Sequence, residues 1–344
     1  MNNYFIKLTP LSPFFFAGEK NFGGAKGEET NYFAKSNLFP QQTTILGMLR
    51  KELLIQKGIY REYWNYSEDD KNKIKKLIGK GGFKVNNHNN NFGRIESISP
   101  VFINRTLNKT NQYFISTPKD NKLKFKKEKS GRTNLNLKTA KNFIPLIEDY
   151  NGNNYNAKKE LPNSFISSDK QETVEFDNIF KEFIKIGNAK DKSEGDEEKF
   201  FKQLFYTMKK DFSFAFFAEI DFEFQDSNFI VYMGGDNSSF KMEIRKTEKN
   251  FHQIFINGHH RNNKTTLLSD ALVDEDIYEF CDFAITETMD FRTIKIENNN
   301  FDKKKKYTML KRGSVFFTDD KKIAKLKNKI RNNNFQKIGY NIFK

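Results

Sequence analysis

Residues able to do chemistry fall into few patterns along this chain of 344 residues. In DFSFAFFAEIDFEF, the carboxylates Glu219, Asp221 and Glu223 recur at every second position. On a strand they share one face, where their oxygens could hold a hard cation. Same-face neighbours stand ~6.5–7 Å apart along a strand, so the three make a row rather than a cage. A solvated face, or a face meeting a basic partner, is the plainer reading, and no metal-dependent nuclease activity is expected. His88, His252, His259 and His260 complete the histidines. The pair in NGHHRNNK could supply a general acid and base for RNA cleavage. Adjacent strand residues point to opposite faces, so a polar loop tip is the plainer reading there too. The single cysteine, Cys281, excludes an internal disulfide, argues against a cysteine-based zinc site, and reads as a buried thiol. There is no phosphate-binding Gly-Lys-Ser/Thr loop, G-x-S-x-G elbow, H-E-x-x-H or C-x-x-C.

Binding chemistry is better represented. FPQQTTILGMLRKELL has helical periodicity, and Gly47, Arg50 and Lys51 fall at i, i+3 and i+4 on one face. Gly47 removes a side chain where another backbone could approach. Arg50 offers a guanidinium fork suited to phosphate oxygens. Ile45, Met48, Leu49 and Leu53 cover the opposite side, and a plain helix–sheet contact with two surface cations fits the same pattern. VYMGGDNSSF, with Gly234 and Gly235, and KRGSVFF, with Lys311, Arg312, Gly313 and Ser314, each put glycine beside a strand end. Both could present backbone N–H groups to an anion or a stacked base, and both could be ordinary hairpin turns. Gly234 and Gly235 are expected to need positive φ or close backbone contact.

Charge points the same way. Lys plus Arg number 59 and Asp plus Glu 44, a net charge of +15, which favours a polyanionic partner, most simply nucleic acid. Enrichment in Lys, Asn, Ile and Phe of the kind an AT-rich genome produces is the alternative source of that charge. No apolar run approaches the ~20 residues of a membrane span, and no basic amphipathic helix with a strong apolar face is evident. The opening MNNYFIKLTPLSP has no basic region followed by an apolar stretch, so the cytoplasm is the expected compartment.

The elements expected to position these residues alternate without βαβ regularity. Residues 3–9 read as a strand, 10–38 as a glycine-bearing loop, and 43–57 as a helix capped by Thr43 or Thr44 and ended by Gly58. A second helix over 67–78 is capped by Ser67 and terminated by Gly79. Residues 84–163 are thin in apolar side chains and read as loops with short strands such as SPVFI and QYFIS. Helices are expected over 172–186 and 196–208, on either side of a polar linker. A strand from Phe212 to Phe224 has period two throughout. NFIVYM, FKMEIR, FHQIFI, FCDFAIT and SVFFT read as further strands, and KKIAKLKNKI as a helix. The expectation is α+β, with antiparallel sheets and helices on one face.

NLFPQQTTILGMLRKELL resembles the Pro-x-x-Thr-x-x-Gly-x-Leu-Arg helix of CRISPR RAMP subunits. Together with TPLSPFFFAGEKNF, YMGGDNSSFKM and LKRGSVFF, the chain resembles the third-subunit family of the type III-B, or Cmr, effector complex. The resemblance implies two ferredoxin-like (RRM-like) domains with long loop insertions, taken as 1–195, carrying an insertion over about 84–163, and 196–344. It implies a non-catalytic subunit, without cofactor or metal, that holds the repeat-derived 5′ tag of CRISPR RNA. That subunit would bridge the large polymerase-like subunit to the backbone RAMP subunits and meet target RNA indirectly. The residues implied to contact RNA are Thr44, Gly47, Arg50, Lys51, Gly234, Gly235, Lys311, Arg312, Gly313 and Ser314. The resemblance departs at KIGYN, whose single glycine, Gly339, stands where the family's loop carries more. An endoribonuclease of the same superfamily using His259 or His260, and a purely architectural subunit, are the competing readings.

Overall fold

The structure, a computed structural model, describes residues 1–23, 31–62, 66–85, 90–124, 129, 161–189, 199–234, 236–257, 263–297 and 300–344. In chain order the elements are β1 (Asn2–Pro10), β2 (Phe16–Gly23), β3 (Asn31–Asn37), helix α1 (Gln42–Gln56), helix α2 (Glu68–Ile78), β4 (Ile95–Ile98), β5 (Phe102–Leu107) and β6 (Thr110–Ser116). Then come β7 (Ser164–Ser167), β8 (Thr173–Glu175), β9 (Phe180–Ala189), β10 (Lys199–Met208), β11 (Phe212–Ile220), β12 (Asn228–Met233) and β13 (Ser238–Lys246). The remainder holds β14 (Lys264–Thr266), β15 (Phe283–Ile285), β16 (Thr288–Glu297), β17 (Asn300–Leu310), β18 (Val315–Phe317) and helix α3 (Ile323–Ile330). Nine strands form one sheet in the order β12-β13-β1-β11-β5-β6-β7-β8, with β4 also on β11. β2-β3-β10-β9 and β14-β18-β15 form smaller sheets, and β16-β17 a hairpin. Every pairing between named strands is antiparallel except β3 with β10, so the class is α+β with mostly antiparallel sheets.

β11 shows why the large sheet forms. Its even residues Phe214, Phe216, Ala218 and Ile220 join Tyr4, Ile6 and Leu8 of β1 in the main core, where Ile45, Leu49 and Leu53 of α1 cover them. Its odd residues Ala215 and Phe217 face the other way, into a smaller core with Phe5 and Phe102. Phe251 and Phe255 cover that core from one helical turn, their rings 4.7 Å apart. Period two thus buries both faces at the sheet's centre. The strand stops at Ile220, where a register shift against β4 bends it, short of the expected end at Phe224.

Several expectations change. Residues 10–38 are not one loop but contain β2 and β3. The helices expected over 172–186 and 196–208 are instead β8, a single turn at Phe176–Ile179, and the ribbon β9–β10. Apolar residues in adjacent pairs, as in KFFKQLF, satisfy period 3.6 as well as period two. Pairing across sequence, Met208 with Phe180 through Lys199 with Ala189, decides for strand. FHQIFI is a helical turn, because Phe251 and Phe255 at i and i+4 both reach Phe102. The boundary expected between 195 and 196 does not separate sheets. β1 lies between β11 and β13, and β9 pairs with β10. α2 forms with Ser67 accepting from the Asp70 N–H at 3.1 Å and Gly79 at its end.

The N-terminus of α1 is closed from the other end of the chain. Its N-cap is Gln41, without a side-chain cap, so neither Thr43 nor Thr44 plays the expected capping role. The Gln42 N–H donates instead to the hydroxyl of buried Tyr340, at 3.1 Å. Gly339 makes this possible. At φ +86° it lies so close to α1 that a Cβ there would stand 1.9 Å from Gln42 Nε2 and 2.6 Å from the Ser99 carbonyl carbon. Asn341 continues the anchor, accepting from the Leu272 N–H and donating to the Leu272 and Ile330 carbonyls. Tyr340→Phe leaves the Gln42 donor buried without its acceptor and is expected to cost about 1–2 kcal/mol in urea denaturation. A second prediction concerns Glu52, buried on the inner side of α1, where desolvation raises its carboxyl from 4.5 to about 7. The folded value lies above the unfolded one, so its bound proton stabilises the fold at low pH, and that stabilisation is lost as pH rises through about 7. Glu52→Gln is therefore expected to stabilise the protein by about 1–3 kcal/mol at pH 8. The gain should shrink as pH falls towards 5, read as the pH dependence of thermal unfolding.

Candidate nucleic-acid interface

Two of the implied RNA-binding cations are held inside the chain. Arg50 donates to the Gly81 carbonyl at 2.7 Å and the Asn91 carbonyl at 3.2 Å, and its guanidinium lies 5.5 Å from the Phe92 ring centroid. Burial lowers its pKa to about 10. It ties α1 to the loop after α2. Arg312 is more enclosed still. It donates to Val101 O at 2.7 Å and to both Asp270 oxygens, and its guanidinium lies 4.0 Å from the Phe39 centroid, just before α1. The Arg50 fork, expected to hold a phosphate, and the guanidinium of Arg312, expected among the RNA contacts, have these donors engaged by carbonyls and a carboxylate of the same chain.

What α1 offers outward is a stripe of Thr44, Gly47 and Lys51, spaced at i, i+3 and i+7. Gly47 is exposed, and a Cβ there would meet nothing within 4 Å. Lys51 makes no ion pair among the described residues; its ammonium lies 5.2 Å from the Tyr60 centroid. The inner residues Ile45, Met48, Leu49 and Leu53 are buried, as the periodicity requires.

The glycine turns are tight. Gly234 has φ +82°, and a Cβ would stand 2.3 Å from the Phe15 carbonyl oxygen; Gly235 lies outside the described residues. Gly313, also at φ +82°, would bring a Cβ to 3.0 Å from the Thr117 oxygen, and its own carbonyl accepts from the Lys119 N–H. Ser314 is buried and donates to the Lys311 carbonyl at 2.6 Å. The 311–314 turn thus reaches the start of α1 through Arg312 and Phe39, whereas Gly234 packs on Phe15. A lysine that sequence reasoning did not single out, Lys119, joins Lys311 at this turn. Lys119 and Lys311 share Glu287, whose carboxyl they hold low against the effect of burial. Only the tertiary pairing reveals Lys119, since nothing in its sequence spacing links it to Lys311.

The carboxylate row has separate partners. Glu219 accepts from Ser97, Asp221 pairs with Arg94, and Glu223 with Lys246. Among the described residues, no group of three or more His, Cys, Asp or Glu side chains is arranged to hold a metal ion. His88, His259 and His260 lie outside the described residues. Burial and neighbouring Asp282 push the half-buried Cys281 thiol up to about 11, so it is protonated at neutral pH, an unsuitable nucleophile. Among the described residues, no helix is long and apolar enough to cross a membrane.

The sequence profile of a family described as CRISPR-associated protein (Cas_Cmr3) matches residues 6–343. Among solved structures, the chain is similar to one in the Type III-B Cmr-beta complex bound to cognate target RNA. That match has 19% identity and a TM-score of 0.51, covering 99% of this chain and 96% of the other. A chain of Type III-B Cmr-beta bound to cognate target RNA and AMPPnP, state 1, is similar at 19% identity and a TM-score of 0.50, covering 98% and 94%. At that identity the likeness is one of fold. No curated protein sequence matches significantly.

The two kinds of cation separate by stability. Arg312→Ala leaves Asp270 buried without its partner and is expected to cost about 3–5 kcal/mol. Arg50→Ala is expected to cost about 1–3 kcal/mol through its lost carbonyl contacts. Lys51→Ala should stay within about 0.5 kcal/mol of the wild type. Urea denaturation of the three variants checks the order.

Proposed function

Because this chain belongs to the Cas_Cmr3 family of CRISPR-associated proteins, we propose that it is the type III-B (Cmr) effector subunit that holds the repeat-derived 5′ tag of the guide RNA, without catalysing a reaction. In this reading it bridges the large polymerase-like subunit and the RAMP backbone, and meets target RNA only through the guide. The similar chains from Cmr complexes bound to target RNA support an RNA-containing assembly as its setting. The consecutive order β13-β1-β11-β5, with α1 following β1, supports a ferredoxin-like unit in which β12 replaces the second helix. A second such unit in the C-terminal part is the companion expectation.

The observation that carries the RNA reading is Gly47. A glycine inside a helix costs about 1 kcal/mol against alanine, and here no neighbour among the described residues requires it. Its use lies outside the chain, where a bare backbone flanked by Thr44 and Lys51 suits a phosphodiester approaching closely. The separately paired carboxylates Glu219, Asp221 and Glu223 support a binding role over metal-dependent cleavage.

The test is retention of tag-bearing guide RNA by the reconstituted complex, together with incubation of the isolated chain with repeat RNA. Gly47→Leu and Lys51→Ala are each expected to weaken retention by roughly tenfold, about 1.4 kcal/mol, with thermal unfolding unchanged in Lys51→Ala and raised in Gly47→Leu, which gains helix propensity. Unchanged retention in both would remove the tag from α1. Cleavage of repeat RNA that vanishes in His259→Ala or His260→Ala would establish the nuclease reading instead.

A further inference from the structure

The face of the large sheet turned away from α1 is buried over β5 and β11, where Phe251 and Phe255 cover Phe102, Ala215 and Phe217. Towards the β12 edge the same face carries exposed side chains. Period two sends Leu8, Val231, Met233, Met242 and Ile244 into the main core under α1, so their neighbours along the strands point the other way. Strand register arranges those neighbours in rows. Tyr232 of β12 lies opposite Ser239 of β13, and Leu11, whose N–H donates to the Ser239 carbonyl at 3.0 Å, extends that row. Ile230, Lys241 and Thr9 form the next row, then Asn228, Glu243 and Lys7. Arg245 follows, opposite Phe5.

Leu11, Ile230 and Tyr232 are each more than half exposed. Single exposed apolar side chains are ordinary, but three in neighbouring positions of one face make a patch. Beside the patch, charge is unbalanced. Glu243 takes Lys7 Nζ on one oxygen at 2.5 Å. Its other oxygen stands 3.6 Å from Lys241 Nζ and 4.0 Å from an Arg245 guanidinium nitrogen, both longer than a hydrogen bond. One carboxylate therefore faces three cations. Lys7 and Glu243 are mostly enclosed, with side chains 18% and 16% exposed, and neutralise each other. Lys241 and Arg245, 49% and 66% exposed, keep their charge for an external anion.

We propose that this open end of the sheet binds single-stranded RNA, with a base stacked on Tyr232 between Leu11 and Ile230 and the adjoining phosphates on Lys241 and Arg245. This rests on the RNA-binding reading above, but α1 packs on the opposite face of the sheet, so its outward stripe is a separate surface. The two cations left over around Glu243 select a polyanion, and an exposed aromatic ring beside them accepts any base, since every base has a π-face. Diagonal neighbours across an antiparallel pair stand about 7–8 Å apart, so Tyr232 and Lys241 can hold the base and the phosphate of one nucleotide. Contacts to phosphates and base faces position the strand and leave its base edges unread.

The experiment is fluorescence anisotropy of the full chain with a labelled single-stranded RNA of mixed sequence, across a salt series. Lys241→Ala/Arg245→Ala is expected to bind roughly tenfold more weakly, with a salt slope shallower by about 1.4, two phosphate contacts at about 0.7 each. Lys7 still pairs with Glu243 in that variant, so no carboxylate is left bare. Tyr232→Ala is expected to lose roughly tenfold in affinity with its slope unchanged, and Tyr232→Phe to keep both affinity and slope. Circular dichroism confirms that the variants are folded. Unchanged affinity in both alanine variants, with the wild type binding normally, overturns this site and leaves the α1 reading standing. Equal losses in Tyr232→Phe and Tyr232→Ala overturn the stacked base. Unchanged RNA binding with lost assembly onto partner subunits overturns the site in favour of a protein-docking surface. Absence of salt-dependent RNA binding by the wild type overturns the RNA-binding reading itself, and this site with it.

Discussion

The N-terminus of α1 rests on the hydroxyl of Tyr340, and much else in the molecule follows from that contact. A helix start leaves backbone N–H groups without partners, and a buried start needs an acceptor from elsewhere. Here the acceptor arrives from about 300 residues away in sequence. It reaches Gln42 because Gly339 lets the chain pass against Gln42 and Ser99. Arg312 reinforces the junction from below, joining Asp270, Val101 O and the ring of Phe39. The segment 99–101 is therefore held from both sides, by Gln42 Nε2 on Ser99 O and by Arg312 on Val101 O. The C-terminal end of the chain and the segment 99–101 together hold the start of α1 in place.

This junction explains how the cations divide between roles. Guanidinium is planar and can meet several acceptors at once, which suits Arg50 and Arg312 to stapling loops whose carbonyls would otherwise lack partners. An ammonium on a flexible stem keeps its charge in water while its methylenes pack. Lys51 over Tyr60 does this on the outer side of α1. Around the 117–120 turn, Lys119 and Lys311 share Glu287 while Lys264 pairs with Asp120, so ammoniums there are tied into the packing of the fold.

The large sheet links these regions mechanically. β11 contributes to cores on both of its faces, and β1 joins α1 to strands from the middle of the chain. Local loosening at α1 would be transmitted to β1 and β13 through Ile6, Leu8 and Met242, which share its core. The outward stripe of α1 thus sits on a helix packed into the shared core, and a rigid element gives a binding surface its precision.

By itself the sequence determined the parts whose signal is local. The period of Ile45, Met48, Leu49 and Leu53 defined the buried side of α1, and Ser67 and Gly79 marked the ends of α2. The alternation after Phe212 defined the central strand, and positive φ at Gly234 followed from a glycine in a hairpin turn. Motifs spread along the chain also pointed to the family whose profile spans residues 6–343. Tertiary structure alone decided what depends on distant partners. KFFKQLF satisfies two periodicities, and pairing with β9 selected the strand. Arg50 and Lys51 are adjacent and equally charged, yet carbonyls at Gly81 and Asn91 took one inward and left the other outside. A Thr cap looked sufficient for α1 until Tyr340 supplied the acceptor. Hydrogen bonds and ion pairs act over a few ångströms in space, and a sequence records neighbours along the chain rather than those brought together by folding.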